Sequence, residues 1–280
     1  MQSKKVRLPE TEAEWLSRGD FQIEYVSING KDIRCALLQG KSGGRLITMV
    51  GGIPREVERR NKLPLINKLY GYLALILQEC GVSSLLYNQP ATGGSTGNWD
   101  EETLSSRTQV LAGLIDHFSK KFTFSDHGLI GSSSGAYMAI NSVELIEKQG
   151  HKVSKLLLLS PAAYPKQIEV VPYGEKFTEI LRQPWDVSTS PVFSKLRDFF
   201  TNGTELLLCF FENDDPPIPM YIQEYYRNFM WRLEEAGKNV SVITIPGVAH
   251  NFRRIQRKRG REVDDDSIVI TAENFREFLK

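Results

Sequence analysis

The chain has 280 residues, 41% hydrophobic and 25% charged, with a formal net charge of +1. This is length enough for one large domain with a substantial core, in a composition ordinary for a globular protein. A charge this close to zero gives no footprint for a nucleic-acid partner, no run of about 18 apolar residues exists to span a membrane, and Met1-Gln2-Ser3-Lys4-Lys5 is not followed by the apolar segment of a secretory signal.

Cys35, Cys80 and Cys209 are odd in number and widely spaced. They read as buried thiols in a reducing cytoplasm. There is no Cys-x-x-Cys or His-x-x-x-His pair, so neither a zinc site nor a cofactor is expected.

In chain order, residues 21–28 and 32–38 alternate apolar and polar side chains around Asn29-Gly30, a strong hairpin signal, and predict an antiparallel pair at a sheet edge. Residues 45–50 read as a central strand that runs into Gly51-Gly52-Ile53-Pro54, and a helix is expected over 62–80. Strand 83–87 and a helix over 101–120 follow, then a short apolar segment, His127-Gly128-Leu129-Ile130. A helix over 134–147 leads to strand 155–160. The loop-rich stretch 161–202 carries Tyr164, Trp185 and Phe193 among its aromatics. Strand 205–211, a helix over 218–236, strand 241–245 and a last helix over 271–279 complete the chain. Strands that alternate with helices of this length predict a mostly parallel sheet, covered on both faces and joined by right-handed crossovers.

Gly131-Ser132-Ser133-Ser134-Gly135 has the form G-x-S-x-G, with a strand before it and a helix after it. A serine on such a strand-to-helix turn projects its hydroxyl above the sheet, and the flanking glycines let neighbouring backbone pass close by. Only Ser133 has a glycine two residues away on each side, so it is the candidate nucleophile. A serine hydroxyl needs a base, and the base needs an orienting carboxylate. Of the four histidines, only His151 and His250 follow the serine. His151 lies in a polar helix-end turn and is expected at the surface, whereas His250 follows strand 241–245 and is the candidate base. The carboxylate is expected after strand 205–211, in Glu212-Asn213-Asp214-Asp215-Pro216-Pro217-Ile218-Pro219. Asp215, which opens an Asp-Pro-x-x-Pro string, is favoured, with Asp214 as the alternative. The loser is expected to act as a turn or capping aspartate.

On Gly131 to Gly135, the Asp214-Asp215-Pro216 segment and Pro246-Gly247-Val248-Ala249-His250, the chain resembles the α/β-hydrolase family over about residues 20 to 280. The resemblance implies a single domain over 1–280 with an eight-stranded, mostly parallel sheet and a small cap at 161–202. It implies an oxyanion hole of backbone N–H groups near Gly52 or Ile53 and at Ser134. One loop departs from the family pattern: in Tyr87-Asn88-Gln89-Pro90, Asn88 stands where the family has an acidic residue and Pro90 where it has arginine.

The expected activity is cleavage of a carboxylic ester or thioester through an acyl-enzyme on Ser133. Tyr164, Trp185 and Phe193 are candidates for the substrate pocket, their alternative role being to pack the cap onto the core. Arg253-Arg254-Ile255-Gln256-Arg257-Lys258-Arg259-Gly260-Arg261 reads as a solvated loop partly neutralised by the following acidic run. The alternative is a docking site for an anionic carrier such as coenzyme A or a phosphopantetheine-bearing protein, which suits a thioesterase or acyltransferase. A non-catalytic, ligand-binding relative is the reading from outside enzymology.

Overall fold

The computed structural model of the protein describes residues 7–52, 62–199, 203–214, 218–250, 253–256, 260–263 and 265–280, with 253–256 and 260–263 as backbone only. Ten strands form one sheet: β1 (Gln22–Ile28), β2 (Lys31–Leu38), β3 (Leu46–Val50), β4 (Ser83–Tyr87), β5 (His127–Ser132), β6 (Val153–Leu159), β7 (Glu205–Asn213), β8 (Val240–Ala249), β9 (Arg253–Gln256) and β10 (Gly260–Val263). Their spatial order is β1-β2-β4-β3-β5-β6-β7-β8-β9-β10. From β4 to β8 all neighbours are parallel, while β1, β2, β9 and β10 pair antiparallel with their neighbours. The expected eight strands are all present.

Strands β9 and β10 are a finding beyond them. The basic stretch after His250 is not a loop throughout: Arg253 to Gln256 pairs with Gly260 to Val263 as a hairpin that extends the sheet. Its charges hid it from a reading based on apolar alternation, because an edge hairpin needs no apolar face on its outer side.

The central strands are apolar at nearly every position because helices cover both faces. Side chains alternate between the faces with the two-residue period of a strand. Leu156 and Leu158 join one core cluster, together with Leu206, Leu208 and Phe210. Leu157, Leu159, Leu207, Cys209 and Phe211 join the other. Helices α3 (Leu104–Lys121) and α4 (Ser134–Lys148) supply the first face; α2 (Lys68–Glu79) and α8 (Asp265–Leu279) supply the second.

Helix boundaries follow their caps. Helix α2 begins six residues later than expected because the Asn67 side chain accepts from the Tyr70 N–H at 2.9 Å. Helix α8 begins at Asp265 rather than 271, with Asp265 and Asp266 in its first turn, where the helix dipole favours acidic groups. Asp265 accepts from the Leu8 N–H at 3.0 Å and pairs with Lys68 at 2.9 Å. A short N-terminal helix that the sequence reading passed over, α1 (Glu12–Leu16), closes a capping box on Thr11 and buries Trp15. His151 is not at the surface as expected: its Nε2 lies 3.1 Å from Asp116 Oδ1, and its side chain is largely covered.

Between β6 and β7 the chain passes through α5 (Glu175–Arg182) and α6 (Pro191–Phe199), each preceded by a short 3-10 helix. The aromatic rings here stack in series. Trp99 meets Tyr173 at 5.0 Å, Tyr173 meets Phe177 at 5.0 Å, and Tyr164 meets Tyr137 of α4 at 5.0 Å. Tyr137 also donates to Glu169 at 2.8 Å. The buried Arg107 guanidinium lies over both the Trp99 and Tyr173 rings, at 4.9 and 4.7 Å, and donates to the Pro90 carbonyl at 2.7 Å. Among the described residues no helix is long and apolar enough to cross a membrane.

Candidate active site

Ser133 sits where β5 gives way to α4, with φ 56° and ψ −122°. That conformation costs a non-glycine residue on the order of 1–3 kcal/mol, so the surroundings must hold it. Three backbone bonds do so. The Ser133 N–H donates to the Leu159 carbonyl at 2.9 Å, and the Ser133 carbonyl accepts from Ala136 and Ala162 at 3.0 and 3.2 Å. The motif glycines are required by close approach. A Cβ on Gly131 would lie 2.5 Å from Ala136 Cα, and one on Gly135 would lie 2.1 Å from the Val50 carbonyl oxygen. Ser134 opens α4, so its N–H lies at the positive end of the helix dipole. The half-buried Ser133 side chain occupies the carboxyl edge of the parallel sheet, where open α/β folds place their ligands.

His250 and Asp214 stand at the same edge. Strands β7 and β8 run parallel, and after an irregularity between Phe211 and Asn213 the register sets Asn213 opposite Ala249. The next residue on each strand is therefore Asp214 on one and His250 on the other. His250 Nδ1 lies 2.7 Å from Asp214 Oδ1. The Asp214 side chain is fully buried and that of His250 is 10% exposed. Asp214 Oδ2 accepts from the Phe211 N–H at 3.0 Å and from the Ser160 hydroxyl. Among the described residues the carboxylate in contact with His250 is thus Asp214, the alternative; the favoured Asp215 lies outside them. The irregularity in β7 decides this, and strand periodicity carries no signal for it.

The loop after β3 passes beside the serine. A Cβ on Gly52 would lie 3.2 Å from Ser133 Cβ and 3.7 Å from Ser133 Oγ. The loop is anchored on both sides of its first peptide: Tyr70 donates to the Val50 carbonyl at 3.1 Å, and Gln89 Nε2 donates to the Gly51 carbonyl at 2.8 Å. Gln89 belongs to the segment that departs from the family pattern, and its anchoring role is one that sequence reasoning missed. Ile53, the other candidate for an oxyanion donor, lies outside the described residues.

The three pocket candidates separate. Tyr164 and Trp185 are half-buried. Phe193 is 2% exposed and packs on Tyr225, Tyr226 and Phe229 at 4.5, 4.8 and 5.3 Å. Phe193 is a core residue and presents no surface to a ligand, because the amphipathic turn of α6 directs it onto the tyrosine-rich α7 (Met220–Glu235). The Arg253 to Arg261 side chains lie outside the described residues. Among the described residues no group of three His, Cys, Asp or Glu side chains could hold a metal ion.

No protein-family model and no curated protein matches the sequence, so the likeness to known proteins lies in the fold. Est1E from Butyrivibrio proteoclasticus, solved with ferulic acid bound, superposes with a TM-score of 0.64 at 18% identity, covering 91% of this chain and 97% of that one. An α/β serine hydrolase homologue from Coxiella burnetii superposes with a TM-score of 0.56 at 15% identity over 92% and 97% of the two chains. XC6422 from Xanthomonas campestris, a serine hydrolase described as lacking a lid, does so with a TM-score of 0.56 at 13% identity over 98% and 96%. The chain has the α/β-hydrolase fold.

Proposed function

We propose that the protein is a serine hydrolase that cleaves carboxylic esters through an acyl-enzyme on Ser133. The observation that carries this reading is the 2.7 Å contact of His250 Nδ1 with the buried Asp214 carboxylate, at the same sheet edge as the strained Ser133 turn. In the proposed mechanism, Asp214 accepts a hydrogen bond from the Nδ1–H of His250, which holds the ring in the tautomer that leaves Nε2 free to act as base. Nε2 takes the Ser133 hydroxyl proton as Oγ attacks the ester carbonyl, and the ring then delivers that proton to the departing alkoxide. Backbone N–H groups at Gly52 or Ile53 and at Ser134 receive the tetrahedral oxyanion, each such donor being worth roughly 3 kcal/mol when removed. Water, activated by the same imidazole, returns the serine. That structural neighbours are described as a serine hydrolase homologue, a serine hydrolase and an arylesterase supports the class.

The test is reaction with a fluorophosphonate probe followed by peptide mapping. Label on Ser133 in the wild type and none in Ser133→Ala is the expected result. A folded wild type that takes no label overturns the reading in favour of a ligand-binding role.

A thioesterase or acyltransferase acting on an anionic carrier is the second reading. One observation favours it: the third residue after His250 begins the β9–β10 hairpin, and the nine positions from Arg253 to Arg261 hold six Lys or Arg. Asp265, expected to help neutralise these charges, is engaged instead by Lys68 and the Leu8 N–H. Charge reversal at Arg257, Lys258 and Arg259 separates the two readings. It lowers turnover of a carrier-bound thioester if the hairpin docks the carrier, and leaves small soluble esters unaffected.

A further inference from the structure

Ser160, the residue after β6, has φ 45°, is fully buried, and follows the strand that lies between those of the serine and the aspartate. Glycine accepts a left-handed conformation without strain, whereas serine is strained there. A serine kept at such a position is explained when its side chain has work that glycine cannot do. Here the hydroxyl donates to Asp214 Oδ2. Its direction is fixed by the backbone, because the Ser160 N–H donates to the Cys209 carbonyl at 2.7 Å and so continues the β6–β7 ladder one residue past the last register pair. The left-handed turn swings Cβ back across β7 toward the aspartate.

A carboxylate with no exposed side-chain surface needs hydrogen-bond donors on both oxygens. Oδ1 has the His250 ring; Oδ2 has the Phe211 N–H at 3.0 Å and the Ser160 hydroxyl. The other titratable groups facing Asp214 are the buried Cys209 thiol, whose burial and proximity to the carboxylate push it up and keep it neutral, and Arg227 of α7. Arg227 is directed elsewhere, over the Phe210 ring at 4.6 Å and onto Thr244 at 3.0 Å. The hydroxyl is therefore the one side-chain donor the described residues give to Oδ2.

We propose that Ser160 is a positioning residue of the hydrolytic site: its hydroxyl locks the plane of the Asp214 carboxylate and so fixes the orientation and proton affinity of His250. This inference rests on the proposed roles of Ser133, His250 and Asp214. Ser160 keeps its proton throughout and the Nδ1 proton stays on the imidazole; the serine orients the pair and takes part in no transfer.

Two variants test it together. Ser160→Ala removes the hydroxyl and keeps the strain. Ser160→Gly removes the hydroxyl and relieves the strain, so its backbone is at least as well accommodated as that of the wild type. Both are expected to lower kcat for a soluble ester about 10- to 100-fold, the range for a lost hydrogen bond to a charged group, with KM changed less than about twofold. The acid limb of kcat/KM, which reports protonation of the base, is expected to move to higher pH, because a carboxylate that has lost a donor concentrates more negative charge on the imidazolium. A Ser160→Gly protein that melts at or above the wild type and keeps wild-type kcat and pH profile overturns the inference. One that melts far below the wild type also overturns it, since the hydroxyl is then a folding device. Failure of the underlying reading is distinguishable: there, the wild type itself takes no fluorophosphonate label on Ser133.

Discussion

The two edges of the parallel sheet hold nearly the same residue types and make different things of them. At the carboxyl edge are Ser133, His250 and Asp214. At the amino edge are Ser119, His127, His151 and Asp116, with His151 3.1 Å from Asp116 and Ser119 3.3 Å from His127. At the amino edge, Ser119 lies within α3 and donates to the Ile115 carbonyl at 2.7 Å, so its hydroxyl proton is already committed. Asp116 is 23% exposed and shared with Lys120 at 2.5 Å. Its charge is screened by solvent and shared between Lys120 and His151. At the carboxyl edge the serine is lifted out of its helix by a strained turn and the carboxylate is fully buried on one histidine. A serine, a histidine and an aspartate in proximity do not make a hydrolase site. What sets the carboxyl edge apart, and supports the proposed function, is the backbone that frees the hydroxyl and the burial that gives the carboxylate a single imidazole partner.

The largest effect that tests this contrast comes from removing each aspartate's charge. Asp214→Asn is expected to lower kcat for a soluble ester by on the order of 10⁴-fold, because the imidazole loses its orienting acceptor. Asp116→Asn is expected to leave kcat within about twofold and to cost under about 1 kcal/mol of stability, as for other part-exposed ion pairs. A comparable activity loss from both would erase the distinction between the edges.

Next in size is Phe193→Ala. If Phe193 is a core residue, its truncation costs roughly 3–5 kcal/mol in urea unfolding while KM for esters of different chain length moves together. A selective rise in KM for long acyl chains would return Phe193 to the pocket.

A smaller effect separates the edges by pH. Burial, helped by the neighbouring His151, pushes the His127 imidazole down from 6.5 to about 4. The unfolded chain therefore binds this proton before the folded one does, and the contribution is intact above about pH 6.5 and lost as pH falls toward 4. The loss amounts to roughly 3 kcal/mol across that window, at about 1.4 kcal/mol per pH unit. Urea midpoints at pH 7, 5.5 and 4 are expected to fall accordingly, and His127→Leu is expected to flatten the decline.

Much of the molecule was legible from residue order. The alternating pattern around Asn29-Gly30 gave the β1–β2 hairpin, with Asn29 and Gly30 both at positive φ. The apolar runs gave the parallel strands, since strands covered on both faces have no polar side to show. What stayed hidden lay where long-range pairing outranks local pattern. Helix α8 was recognised only in its second half, because its first turn is held by Lys68, 197 residues away. Phe193 looked like a pocket residue because an aromatic on a loop-rich segment carries no mark of which neighbour it meets.

The sequence alone singled out the candidate nucleophile and the candidate base. Ser133 is singled out by glycines two residues away on each side, and His250 by following the strand expected over 241–245, both local facts that one-dimensional pattern records. Only the tertiary structure set a carboxylate against His250 and supplied that carboxylate's hydrogen-bond donors. The choice of Asp214 depends on one irregular residue in β7, which sets which carboxylate faces β8. The part assigned to Ser160 depends on a left-handed turn that carries its hydroxyl across to a residue 54 positions on. Register and backbone handedness are properties of paired strands, and a single strand read by itself does not contain them.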